Sequence, residues 1–211
     1  ALAVLVHDGA HNLLFSNPKI NDFISQWFCA YPIFQDNRVY RPYHLKHHRF
    51  TETDKDPDLA LSAPFPITRK SFFRKVVRDL SGLTGYRRYS QALLSIFKTE
   101  GNNTLDKIKK IWLKIHGFLI TNALIFGGVS IFLDWTLFFL LWWLPAFTYY
   151  SLIIRIRNIA EHCVTSGSTD FDNTRTTLTN PMVRFLMAPH RVNYHLEHHL
   201  FMMCPWYNLP K

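Results

Sequence analysis

Eight of the eleven histidines in this chain fall in three short clusters. His7 and His11 form HDGAH, His44, His47 and His48 form HLKHH, and His195, His198 and His199 form HLEHH. On a helix, residues three and four apart lie within about a 100° arc. Each cluster is therefore expected to aim its imidazoles at one point, while Asp8, Lys46 and Glu197 face elsewhere. Neutral imidazole is a good ligand for iron, zinc, copper and nickel. At this histidine content roughly 0.03 HxxHH matches are expected by chance, and the chain has two. Asn158 and His162, in NIAEH, repeat the i, i+4 spacing and bring the candidate imidazoles to nine. Nine exceed what one ion holds, and two ions sharing four or five each is the simplest partition. No cysteine pattern of the kind common in structural zinc sites accompanies the boxes. An all-imidazole set suits a redox-active iron pair better than calcium or magnesium, which prefer oxygen. Spacing alone leaves iron and zinc both open. His116 reads as a hydrogen-bonded residue at the start of an apolar run, and His190, which follows Pro189, has no assigned role.

The elements that must gather these boxes are marked by where charge is missing. Ile115 to Leu133 is 19 residues without Asp, Glu, Lys or Arg; after Asp134, Trp135 to Ile154 is 20 more. Each run makes a helix of roughly 30 Å, the thickness of a bilayer core. The alternative, two buried core helices of a soluble protein, requires that both be packed on all sides. A tight transmembrane hairpin is expected, with Pro145 kinking its second span. The 12-residue apolar stretch Phe23 to Phe34 is too short to cross and reads as an interfacial or re-entrant piece. A hairpin returns the chain to the side it left, and this stretch cannot cross. All three boxes are therefore expected on one side, next to the hydrocarbon.

Charge sets that side. Residues 36–110 hold 16 Lys plus Arg against 8 Asp plus Glu, Lys107, Lys109, Lys110 and Lys114 precede the first span, and Arg155 and Arg157 follow the second. The tip offers only Asp134, so the tip is expected outside and the boxes in the cytoplasm. Arg69 to Leu80 is a basic amphipathic stretch that fits either an anionic lipid surface or a plain solvated helix. The whole chain, 211 residues with 48% hydrophobic, 16% aromatic and a net charge of +9, is no disordered tail or collagen. Its three cysteines imply no disulfide framework. The mean hydropathy of −0.04 averages two uncharged spans with a charged part. The positive charge then marks the inner membrane face, or a redox partner, rather than nucleic acid. The opening ALAVLV reads as the end of an apolar run whose start is missing, so one catalytic domain over 1–211, truncated at its N-terminus, is expected.

With these residues in hand, the sequence resembles the membrane fatty-acid desaturase and hydroxylase family. The likeness rests on HDGAH, HLKHH, the Asn158-to-His162 motif and HLEHH, with Asp56-Pro57-Asp58 after box two and PWYNLP (205–210) after box three. It implies an all-α integral membrane protein whose hairpin, about 115–154, carries a cytosolic helical cap. It also implies a non-haem di-iron centre held by His7, His11, His44, His47, His48, His162, His195, His198 and His199, with Asn158 contacting metal through water. The implied reaction uses O2 and two electrons to take hydrogen from an unactivated C–H of a lipid acyl chain. Loss of the neighbouring hydrogen gives an alkene, and return of oxygen gives an alcohol. Box one, with three residues between its histidines, resembles acyl-lipid and sphingolipid desaturases. Box three begins with His195 rather than the Gln of front-end desaturases, and no cytochrome b5 motif is fused. A separate donor such as ferredoxin or cytochrome b5 is implied, steered by the basic face. Four spans are usual in the family, so a second hairpin would precede Ala1.

By adjacency, Asp8, Glu161 and Glu197 are candidates for orienting the imidazoles. The run Asp54, Asp56, Asp58 reads as a loop capping box two in preference to a calcium loop. Trp27, Phe28, Tyr31 and Trp112 fit either an acyl tunnel or interfacial anchoring.

Overall fold

The structure, a computed structural model, describes residues 1–165 and 169–211, and every regular element among them is helical. They form two compact units, one of residues 1–30, 36–71 and 153–211, the other of residues 31–35 and 72–152.

In the first unit, α1 (Leu2–Ala10) carries box one. α2 (Pro18–Ile24) begins where the Asn17 side chain accepts the backbone N–H of Lys19 and Ile20, with Pro18 supplying a helix-ready φ. A π-helical turn (Ser25–Ala30) follows. α3 (Asn37–Phe50), capped by Asp36, carries box two. The short α4 (Leu59–Ser62), the end of α10 (Tyr149–Glu161), α11 (Pro181–Met187) and α12 (His195–Leu200) complete the unit.

α1 and α3 are joined at the C-terminal end of α1, where a helix leaves carbonyls without intrahelical partners. Arg41 on α3 donates from Nε to the Ala10 carbonyl at 3.0 Å and from Nη2 to the Gly9 carbonyl at 2.9 Å. The fully buried Asn21 donates to the same Gly9 carbonyl at 2.9 Å and accepts the Leu14 N–H at 3.1 Å. Gly9 permits this closeness, because a Cβ there would lie 2.1 Å from Ser25 Oγ. The apolar core is small (Val4, Ala188 and Val192), whereas six histidines are buried. The unit is built around imidazoles more than around hydrocarbon.

The second unit contains α5 (Arg69–Leu80) from Phe72 onward, α6 (Leu83–Phe97) and the hairpin. The first arm is α7 (Thr104–Phe132); the second runs through α8 (Thr136–Phe138), a π-helical turn (Phe139–Trp143), α9 (Leu144–Phe147) and into α10. Phe126 meets Phe138 at 5.4 Å between ring centroids and Phe118 meets Trp143 at 5.9 Å, an antiparallel pairing. Asp134, the lone charge at the tip, accepts the Thr136 N–H at 2.8 Å and so caps the second arm. Both arms are long and apolar enough to cross a membrane, and only 17% and 11% of their most apolar windows are buried. They are not the packed core helices of the alternative reading.

Two sequence expectations change in detail. α7 starts at Thr104, well before Ile115, because Asn103 caps it by accepting the Asp106 N–H at 2.9 Å. Its basic first turns are helix too. The second arm is interrupted on both sides of Pro145, which has no N–H to give the preceding turn: π geometry before it and a break at Thr148 after it. The stretch Phe23 to Phe34 is helical but not one helix, passing from α through π to a 3-10 turn at Tyr31–Ile33. That turn lies against the hairpin. The Pro32 carbonyl accepts from Asn122 Nδ2 at 3.3 Å and from Trp142 Nε1 at 3.2 Å. Tyr31 packs so closely on Gly117 that a Cβ there would fall 2.0 Å from its ring.

Candidate metal centre

All nine candidate imidazoles lie in the first unit and sort into two groups, each with its ligand atoms within 4.8 Å of one another: His7, His11, His44, His48 and His198; and His47, His162, His195 and His199. The groups hold five and four imidazoles, the sizes into which two ions would divide nine. One expectation is corrected: an HxxHH box does not aim at a single point. In both boxes the i, i+4 pair serves one group and the i+3 imidazole, rotated away on the helix, serves the other. His44 and His48 join the first group and His47 the second; His195 and His199 join the second and His198 the first. The groups adjoin, with His48 stacked on His199 at 4.1 Å.

The nitrogens face one another without enough protons to satisfy them. His48 Nε2 lies 3.0 Å from both His44 Nε2 and His198 Nε2. His195 Nε2 lies 2.8 Å from His162 Nε2 and 3.1 Å from His199 Nε2. One proton serves one such contact, not two. His7 Nε2 and His11 Nε2 are buried without a hydrogen-bond partner. These separations match two ligands at right angles on one ion with bonds of about 2.1 Å. The donor set therefore fits transition-metal ions.

Tautomers are fixed from behind. His47 Nδ1–H donates to Asp56 Oδ1 at 2.9 Å, His7 Nδ1–H to Asp8 Oδ1 at 3.1 Å, and His199 Nδ1–H to Thr51 Oγ1 at 3.3 Å. Carboxylates accept only, and the Thr51 hydroxyl already donates to the His47 carbonyl at 2.8 Å. Each of these rings thus presents an Nε2 lone pair. Burial, reinforced by neighbouring cationic or imidazole groups, pushes His7, His44, His48, His195, His198 and His199 well below the ordinary histidine range. Burial takes His11 down to about 4 and His162 to about 3. These eight are neutral at pH 7, the state a metal requires.

Among the orienting candidates, Asp8 contacts His7, and burial raises its carboxyl to about 6. Glu161, gripped by Arg157 at 2.9 and 3.1 Å, has an oxygen 3.9 Å from His195 Nδ1. Glu197 instead accepts the Thr176 hydroxyl. In the sequence Asp56 stands out as part of an acidic run and of the Asp56-Pro57-Asp58 segment after box two. It also accepts the N–H groups of Glu52 and Asp58, each at 2.8 Å. Burial alone would raise its carboxyl, but these bonds and the one from His47 outweigh it and hold it below the usual range. The loop therefore caps box two, and Asp58 takes the Tyr43 hydroxyl at 2.5 Å. Asn158, one turn before His162, accepts from the Cys163 thiol. His190 packs on the edge of Trp206 and lines a small cleft with Asp8, His7 and His198. His116 Nδ1–H donates to the Trp112 carbonyl at 3.0 Å, so its Nδ1 carries the proton.

The fatty acid desaturase family profile matches residues 1–211. The chain belongs to that family. A curated relative, dihydrorhizobitoxine desaturase of Bradyrhizobium elkanii, is 28% identical over 236 residues, covering 100% of this chain and 62% of the relative. The chain thus spans less than two thirds of that relative's length. No solved structure matches. Beside this membership stand two clusters of imidazole that could hold metal ions and two helices long and apolar enough to cross a membrane.

Proposed function

We propose that this fatty acid desaturase family member is an integral membrane, non-haem di-iron enzyme that introduces a double bond into the acyl chain of a lipid. The observation that carries the reading is the pair of adjoining imidazole groups of five and four. The first group would hold one iron and the second the other, with Asn158 completing the second through water. When bound, the iron pair supplies the oxidising power of O2 for breaking an unactivated C–H bond. Overall, the chain loses two hydrogens and O2 is reduced to two waters, with two electrons and two protons from outside. Those electrons would come from a separate donor such as ferredoxin or cytochrome b5.

The chain's own residues contribute placement and charge state. Asp56, Asp8 and Thr51 hold His47, His7 and His199 with Nε2 forward. Arg41 and Asn21 fix α1, and hence box one, to its neighbours. Preset ligand geometry removes reorganisation from the oxidation step. The centre would work on the cytoplasmic side of the membrane, where acyl chains are at hand. Desaturation is favoured over hydroxylation because the curated relative is a desaturase. A membrane metal-binding or transport protein is disfavoured because Asn122 and His116, the main polar residues of the first arm, are spent on the Tyr31–Ile33 turn and on the Trp112 carbonyl.

The test is metal content of the purified chain together with mass spectrometry of the lipids of an expressing host. About two irons per chain and a product two hydrogens lighter are expected. A product heavier by one oxygen would identify a hydroxylase. Zinc alone, with no O2-dependent product, would overturn the enzyme reading.

A further inference from the structure

α5 is an amphipathic helix turned the wrong way for a soluble protein. At 100° per residue, Phe72, Phe73, Val76, Val77 and Leu80 fall within about a 140° arc. Four of these are exposed: Phe72 38%, Phe73 67%, Val77 49% and Leu80 48%. The side that faces protein is marked instead by Asp79, fully buried, whose carboxylate accepts the Thr84 hydroxyl at 2.6 Å. Lys70 and Arg74, both exposed, border the apolar arc on its other edge. The helix holds five basic residues and, in Asp79, one acid that is withdrawn from the surface.

Its height on the hairpin is fixed within the second unit. Gly82, at φ 82°, turns α5 into α6. Gly85 on α6 lies flush on the second arm, where a Cβ would meet the Phe147 carbonyl oxygen at 2.3 Å. Arg88 donates to the Ala146 carbonyl at 2.9 Å and stacks over Tyr150 at 4.6 Å. Beyond the end of α6, Thr99 accepts from Lys114 Nζ at 2.9 Å, just before the first uncharged run. The α5–α6 pair is therefore held near the basic end of the hairpin, away from Asp134.

We propose that α5 lies in the headgroup layer of the bilayer, with Phe72, Phe73, Val77 and Leu80 immersed and Lys70 and Arg74 recognising anionic lipid. This rests on the reading of the hairpin as membrane-spanning. An apolar arc rimmed by lysine and arginine matches an anionic leaflet in both chemistry and charge, each cation adding about fivefold to the preference.

The test uses the full chain in nanodiscs of phosphatidylcholine, with and without phosphatidylglycerol. An environment-sensitive label is placed at F73C in a C204S background, because Cys29 and Cys163 are buried. A second label at L124C, on the exposed side of α7, reports the span. The expected result has five parts. The label at 73 shows blue-shifted emission, loses quenching by iodide and is quenched by a shallow nitroxide lipid. All three effects are stronger with phosphatidylglycerol, and K70E/R74E abolishes that difference. A label at 73 open to iodide in both discs overturns the proposal while quenching of 124 by a deep nitroxide leaves the span intact. Shielding from iodide without nitroxide quenching also overturns it and indicates a protein partner. An unquenched label at 124 overturns the membrane reading and this inference with it.

Discussion

His47 sits between two histidines of the first group and belongs to the second, and Asp56 is what holds it there. The 2.9 Å bond fixes both the ring's direction and its tautomer. Asp56→Asn keeps the shape but loses the obligate acceptor, so affinity for metal should fall about 10–100-fold. Metal titration of the stripped protein reads this, and an unchanged affinity would remove Asp56 from the positioning role. The buried imidazoles also set a pH dependence. Their folded pKa values are depressed, so the unfolded chain binds more protons and stability rises with pH. For the metal-free protein, stability is complete above the unfolded value of about 6.5. It should fall as pH drops toward about 4 for His11 and about 3 for His162. Melting temperatures of the stripped protein between pH 8 and 5 measure it.

At the scale of elements, the joint between α1 and α3 matters more than either helix. Arg41→Met removes donors from the Ala10 and Gly9 carbonyls and from the Asp22 carboxylate, and of the two carbonyls Gly9 keeps partners in Asn21 and the Asn12 N–H. A cost of about 1–3 kcal/mol is expected, read as a lower melting midpoint. Metal retention in the five-histidine group should drop with it. The helices themselves were largely legible. Two uncharged runs announced the hairpin, and i, i+4 histidines announced the boxes. What was hidden is contact between distant stretches: Arg41 reaching Gly9, or Tyr31 seating on Gly117. Side-chain periodicity describes one helix at a time and carries no information on which loop will meet it. The same limit explains Glu197, which adjoins His198 in sequence but accepts the Thr176 hydroxyl instead.

For the molecule as a whole, the first unit has little hydrocarbon to hold it and many imidazoles in its place. Ligand binding to the folded state alone adds stability by mass action. Chelation should therefore lower the melting point of this unit far more than that of the hairpin. Hydrogen exchange resolved along the chain would show it, with rapid exchange in α1, α3 and α12 and protection retained in α7. The crossing of the boxes has a further consequence. α3 and α12 each contribute to both groups, so an ion that settles one group also sets the helices that form the other. Loading is then cooperative: chains should carry two ions or none, and iron titration should yield a sigmoid with few half-filled molecules. His47→Ala, in the second group, should weaken occupancy of the first as well. On this prediction the divided box would act as an assembly check, under which a chain able to hold only one ion would not keep it.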